Sequence, residues 1–351
     1  MPSRNRSSLR KSASITDVLG DFLAAGRRGS LALASGLALA FSSSPALAQT
    51  EPIVIVVPYA QNGPTDRTLR AMVGPLSQAL GGTPITVKNV ASPGGVDGLA
   101  EVAKAKPDGR TLLFTNTNVA LLPALGQQLP FDPKNDFAHL GLVLESPMVV
   151  LGRPTLEAQT PKELADWLAK TDGNNVRLSD AGAGSASYLC GLFLQSLMQK
   201  SFSRVDFPGS APAMTALKEG KVDILCDQTP SVKAPLAAKE VRGYALTTST
   251  PMGMAPFAGL TTLRRMFSRE LELSIWHGFY APKGLEPALQ ARLNAAIRQA
   301  AADPAFVADQ QAQGVVMVQG RRLTPEGHKA YIEQTIPLWQ LIVSISKSGK
   351  K

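Results

Sequence analysis

The sequence predicts an α/β protein of two parallel-sheet lobes separated by a cleft, for three reasons. Short β-branched runs such as Ile53–Val57 alternate with helical stretches, the pattern of parallel strands covered by helices on both faces. Small-residue turns follow strands in two separate regions, at 58–66 and 92–95 and again at 180–184. Extended hydrophobic stretches at 137–151 and 271–281 read as strands that leave the first lobe and return to it. The expected lobes are therefore 49–150 together with 250–351, and 151–249.

In chain order, residues 53–57 make the first strand. The turn at 58–66 leads into a helix whose inner face is Leu69, Met72, Val73, Leu76 and Leu80, closed by Gly81 and Gly82. Residues 85–89 form the second strand. Ser92, Pro93, Gly94 and Gly95 lead into a helix carrying Leu99 and Val102, and residues 111–115 form the third strand. This arrangement puts the turns at 58–66, 92–95 and 115–118 outside the carboxyl ends of the strands, where ligands of open α/β sheets collect.

The second lobe opens on Thr160, Pro161 and Glu163: an N-cap, a proline at the first helical position and a capping-box glutamate. Leu164, Trp167 and Leu168 face inward. A strand at 176–179, the turn at 180–184 and a helix from Ser185 follow, with Leu189, Leu192, Phe193 and Leu197 on one face. A strand at 204–207, a helix capped at Gly209 and Ser210, a strand at 222–226, a turn at 227–231 and a strand at 244–248 complete the lobe. After an irregular segment at 251–262 come the strand 271–281, a helix 286–302 and a strand 315–318. A last helix capped at Thr324 and Pro325 carries Tyr331, Ile332, Ile336, Trp339 and Val343 inward.

With 351 residues, 44% hydrophobic and 18% charged, the chain is long enough for two domains and too apolar for disorder. Much of the formal charge of +9 lies in Arg4, Arg6, Arg10, Lys11, Arg27 and Arg28. The rest is dispersed, without basic residues interleaved with aromatics, which argues against a nucleic-acid surface. An apolar run at 31–41 and then Ala46, Leu47 and Ala48 read as an export signal cleaved after Ala48, too short for a membrane span. A soluble, monomeric, periplasmic protein is expected. Arg27 and Arg28 leave general and twin-arginine export both open. Cys190 and Cys226 are compatible with a disulfide or with two buried thiols. His139, His277 and His328 are scattered without metal-ligand spacing, and no cofactor or metal is expected.

The most informative stretch is 175–198. A strand, a turn of Ala181, Gly182, Ala183 and Gly184, and a helix beginning beside Ser185 and Ser187 leave uncovered N–H groups at the positive end of a helix dipole. Such a place holds an anion without lysine or arginine. The spacing is not GxGxxG and lacks a phosphate-loop lysine.

The segments IVIVVPYAQNGPTD, SPGG, KPDGRTLLFT, LPFDPKNDFA, LSDAGAGSASYL and FPGSAPAMTALKEGKVDILCDQTPS occur in an order that resembles the Bug-type extracytoplasmic solute receptors of tripartite tricarboxylate transporters. The resemblance spans about 50–345 and implies a type II, two-lobe periplasmic binding-protein fold. It implies a small carboxylate as ligand and membrane permease subunits as partners, with a sensor kinase as the alternative partner. It places Tyr59, Ala60, Gly63 and Thr65 on one side of the ligand and Ala181, Gly184, Ser185 and Ser187 on the other, with Asp227 facing the same cleft. Gln61 and Asn62 replace the usual small pair and bring two amides to the mouth, and Asn116 belongs to the turn above the third strand. Tyr188 and Pro208 also depart from the family pattern.

An enzyme on this fold would need a serine nucleophile with a base. No GxSxG elbow is present, and His277 beside Trp276 reads as a packed residue. Asp66 and Asp227 read as a helix cap and a loop cap rather than as acids. Tyr59, Phe207 and Trp276 are the aromatic residues available to stack on an aromatic acid.

Overall fold

β-branched and aliphatic runs that are apolar on both faces build one continuous sheet, with helices against it. The computed structural model describes residues 51–126, 128–268 and 272–348, so the expected export signal lies outside the described residues. The elements run β1 (Ile53–Val57), α1 (Pro64–Ala79), β2 (Ile85–Asn89), α2 (Val96–Ala103), β3 (Thr111–Asn116), α3 (Asn118–Ala124) and the long β4 (Phe137–Gly152). Next come α4 (Pro161–Lys170), β5 (Arg177–Asp180), α5 (Ala186–Met198), β6 (Ser203–Asp206), α6 (Ser210–Lys218), β7 (Ile224–Gln228), α7 (Thr229–Ala237) and β8 (Arg242–Leu246). The chain finishes with β9 (Thr261–Thr262), α8 (Leu263–Phe267), β10 (Ser274–Pro282), α9 (Pro287–Ala301), α10 (Pro304–Ala312), β11 (Val316–Met317) and α11 (Pro325–Ser348).

The sheet order is β2-β1-β3-β10-β4-β7-β5-β6, with β8, β9 and β11 attached beside this path. β1, β2 and β3 are mutually parallel, as are β5, β6 and β7. β10 runs antiparallel between β3 and β4. β4 belongs to both halves: Phe137 through Pro147 pair with β10, and Met148 through Gly152 pair with β7 and β8. It is buried along nearly its whole length, and its register shifts once or more in its pairing with β10 and with β8.

Thr160 accepts the Glu163 N–H and Glu163 returns a bond to the Thr160 N–H, which fixes the start of α4. Four helices, α3, α7, α8 and α10, were not expected from the sequence. α7 lies where a turn at 227–231 was expected. Asp227 and Gln228 stay in the strand, and Pro230 sits in the first helical turn, where its missing N–H is no loss. α11 packs on α3 and α5, so Ile332, Ile336 and Trp339 join a core that reaches from Val56 to Leu189. Cys190 of α5 and Cys226 of β7 are joined as a disulfide with Cα atoms 5.9 Å apart, which decides between the two readings of these cysteines.

Candidate ligand-binding site

Proline and small residues after β1 bend the chain sharply enough that Asn62 adopts φ 65°, a left-handed conformation asparagine tolerates. Asp66 holds this turn. Its carboxylate accepts the Asn62 N–H (2.8 Å), the Asn89 side-chain amide (2.9 Å) and Arg70 Nε (2.9 Å). The helix cap is Gly63 without a side-chain bond, so Asp66 is the organiser of the turn and not the cap expected of it. Burial raises the Asp66 pKa, but Arg70 and the amide donors more than offset this and keep it below the ordinary value.

Behind the turn, Tyr59 donates to Asn116 Oδ1 at 2.8 Å, and Asn116 Nδ2 donates to Thr65 Oγ1 at 3.3 Å. Thr65 Oγ1 lies 3.2 Å from His277 Nε2. β10 supplies this histidine because its antiparallel register sets His277 opposite Asn116. Burial pushes the Tyr59 phenol well above its ordinary value and pulls His277 down to about 4, so both are neutral at pH 7. Asn118 completes the network, accepting from Thr115 at 2.8 Å and donating to the Gly94 carbonyl at 2.6 Å.

The second turn is built by its own side chains. Asp180 accepts the Gly182 N–H (2.8 Å) and pairs with Arg204 Nε (2.8 Å). Arg204 in turn lies 4.5 Å above the Tyr188 ring. Burial lifts Asp180 to about 6, with Arg204 pulling it partly back. Ser187 Oγ accepts the Ala181 N–H at 2.8 Å, and Ser185 Oγ caps α5 by accepting the Tyr188 N–H at 3.1 Å.

These turns meet. A methyl group built on Gly184 would lie 2.9 Å from Gly94 Cα, and one on Gly95 would lie 2.9 Å from the Pro58 carbonyl. The Pro58, Gly94 and Gly184 turns therefore form one contiguous surface. Asp227 is the penultimate residue of β7. Parallel pairing of Ser179 with Leu225 brings residue 181 level with residue 227. Asp227 Oδ1 accepts the Gln228 N–H at 2.8 Å, and Gln228 Oε1 is buried with no hydrogen-bond partner. Burial lifts Asp227 to about 6, and the Gln228 N–H, the Ser210 hydroxyl and the Arg67 charge offset part of this.

Of the residues singled out from the sequence, Ala60, Gln61 and Asn62 are exposed, and Tyr59, Gly63, Ala181 and Ser185 are half-buried. Thr65, Asn116, Gly184, Ser187 and Asp227 are buried. The side chain of Asn116 and the N–H of Ala181 are already engaged within the protein. Trp276 is not available for stacking: it is 1% exposed, edge-on to His328 and Tyr331. His139 and His328, far apart in sequence, meet edge-on at 4.9 Å. The sequence reading missed Asn118 and the His277–Thr65 contact; the only trace was the run of polar residues after β3. A cavity of about 300 Å³ lined by Lys134, His139, Gln290 and Lys329 includes none of the candidate residues.

Residues 69–327 match the profile of the tripartite tricarboxylate transporter family receptor. The chain is 35% identical over 307 residues to a UPF0065 protein from the TAR-I ttuE-ttuC' intergenic region of Agrobacterium vitis, spanning 86% of this chain and 85% of that one. The periplasmic binding protein BugD is similar in structure, with a TM-score of 0.78 at 30% identity, covering 85% of this chain and 98% of that one. MatC of Rhodopseudomonas palustris, solved with bound malate, has a TM-score of 0.77 at 29% identity, covering 84% of this chain and 99% of that one.

Proposed function

The chain belongs to the tripartite tricarboxylate transporter receptor family, of the Bug type, and from that premise we propose that it binds a small carboxylate between two lobes and passes it to the membrane subunits of such a transporter. In this reading the lobes are 49–150 with 250–351, and 151–249, and the protein acts in the periplasm after losing residues 1–48. The observation that carries the proposal is the meeting of the glycine turns, which sets the Gly184 turn at the N-terminus of α5 against the Gly94 turn between β2 and α2, itself packed on Pro58 after β1. The malate bound to MatC supports the same ligand class.

The chemistry is that of neutral donors. The first-turn N–H groups of α5, the Ser185 hydroxyl and the turn at 60–63 grip a carboxylate, and no lysine or arginine is among them. Each charge-assisted hydrogen bond contributes about 1.5–3 kcal/mol, and about 8 kcal/mol corresponds to micromolar affinity. Binding of that strength allows release to a permease. Catalysis is not part of the reading: Ser185 is bonded to Ser187 and the Tyr188 N–H, and His277 to Thr65, so neither activates the other.

The test is thermal shift followed by calorimetry with malate, succinate, citrate, aspartate and their amides. One acid should raise the melting temperature, bind one to one and be recovered unchanged. Binding of amides alone, or turnover of any compound, overturns the proposal. Ser185→Ala should weaken the bound acid roughly 10- to 100-fold by calorimetry.

A further inference from the structure

We propose that the Cys190–Cys226 disulfide is a positioning element of the ligand site, holding the anion-binding turn before α5 and the carboxylate at the end of β7 at a fixed separation. The inference rests on the carboxylate-receptor reading above. Cys190 lies one helical turn beyond Ser187, and Cys226 immediately precedes Asp227. Both cysteines are fully buried. By the register of β5 on β7, the bridge is level with Asp180, where the strand gives way to the turn. The crosslink thus joins the two elements of this half of the sheet that carry candidate ligand groups, at the ends that carry them.

Without it, α5 rests on the sheet by packing, as where Gly191 lies against Leu178 of β5, the strand next to β7. Helix and strand can then slide against each other, and the distance from the Ser185 hydroxyl to Asp227 is no longer set. Small ligands gripped at both ends are sensitive to such looseness, since a site about 1 Å too loose loses much of its affinity. A disulfide that served stability alone would act through the unfolded chain, and would leave the folded site unchanged.

The experiment compares the oxidised protein with Cys190→Ala/Cys226→Ala, and with Cys190→Ala/Cys226→Val, which refills the lost volume. Leu168→Ala, in α4 and remote from the site, serves as a variant that is destabilised but not uncoupled. Hydrogen exchange should be faster at 181–188 and 226–231 in either double variant and unchanged at 58–66. The affinity for whichever of malate, succinate, citrate or aspartate binds the parent should fall about tenfold. Leu168→Ala should lower the melting temperature without either effect. Native protection and native affinity in the folded double variants would overturn the positioning role, whatever their melting temperatures. If the parent binds none of these acids, the receptor reading fails separately, and the exchange measurement alone decides whether the bridge holds the two segments.

Discussion

Gly184 has φ 83°, and a side chain there meets Gly94 Cα at 2.9 Å, so Gly184→Ala strains its own backbone and pushes the turns apart. It should destabilise the protein by about 1–3 kcal/mol in denaturant unfolding and weaken ligand binding as well. Titratable residues set the acid behaviour. His139 and His277 are held neutral by burial, each pulled down to about 4, so their stabilising contribution is full above the unfolded value near 6.5 and is lost as pH falls. Asp180 and Asp227, lifted to about 6, have the opposite sign, because the folded chain keeps their protons where the unfolded chain has released them. His277→Gln should therefore lose less melting temperature than the parent between about pH 7 and pH 5, and Asp227→Asn should lose more. Asp66 shows where residue-level reading falls short: a carboxylate at a helix start suggests a cap, and only the fold reveals that Asn62, Asn89 and Arg70 converge on it.

Helices with written stop and start signals were legible. The capping box of α4 is an example, and Thr160→Ala should cost about 1 kcal/mol in thermal or chemical unfolding while leaving ligand affinity intact, since α4 is remote from the turns. β1, β2 and β3 were legible from β-branched runs and their spacing. α7 was not, because Pro230 signals a turn as readily as a first helical residue. The same division holds at the candidate site. The glycine turns announce themselves by composition. The Tyr59–Asn116–Thr65–His277 chain does not, since it exists only because β10 inserts between β3 and β4, a pairing no local pattern encodes.

Across the whole molecule, the two halves touch beyond the sheet. Thr229 Oγ1 donates to the Gly314 carbonyl at 3.0 Å, and Lys233 reaches the Ala312 carbonyl. If the lobes hinge about their shared strands, a saturating carboxylate should contract the protein in small-angle scattering, and no change in radius would count against hinge closure. β4 also bears on how such a protein can be recombined. Its first eleven residues complete one half of the sheet and its last five the other, so neither half keeps all its hydrogen-bonded neighbours when separated. An exchange of ligand specificity between relatives should succeed when the junctions fall outside Phe137–Gly152 and carry the strand over whole. A junction within the strand would set side chains from two parents against one another across its pairs with β10, β7 and β8.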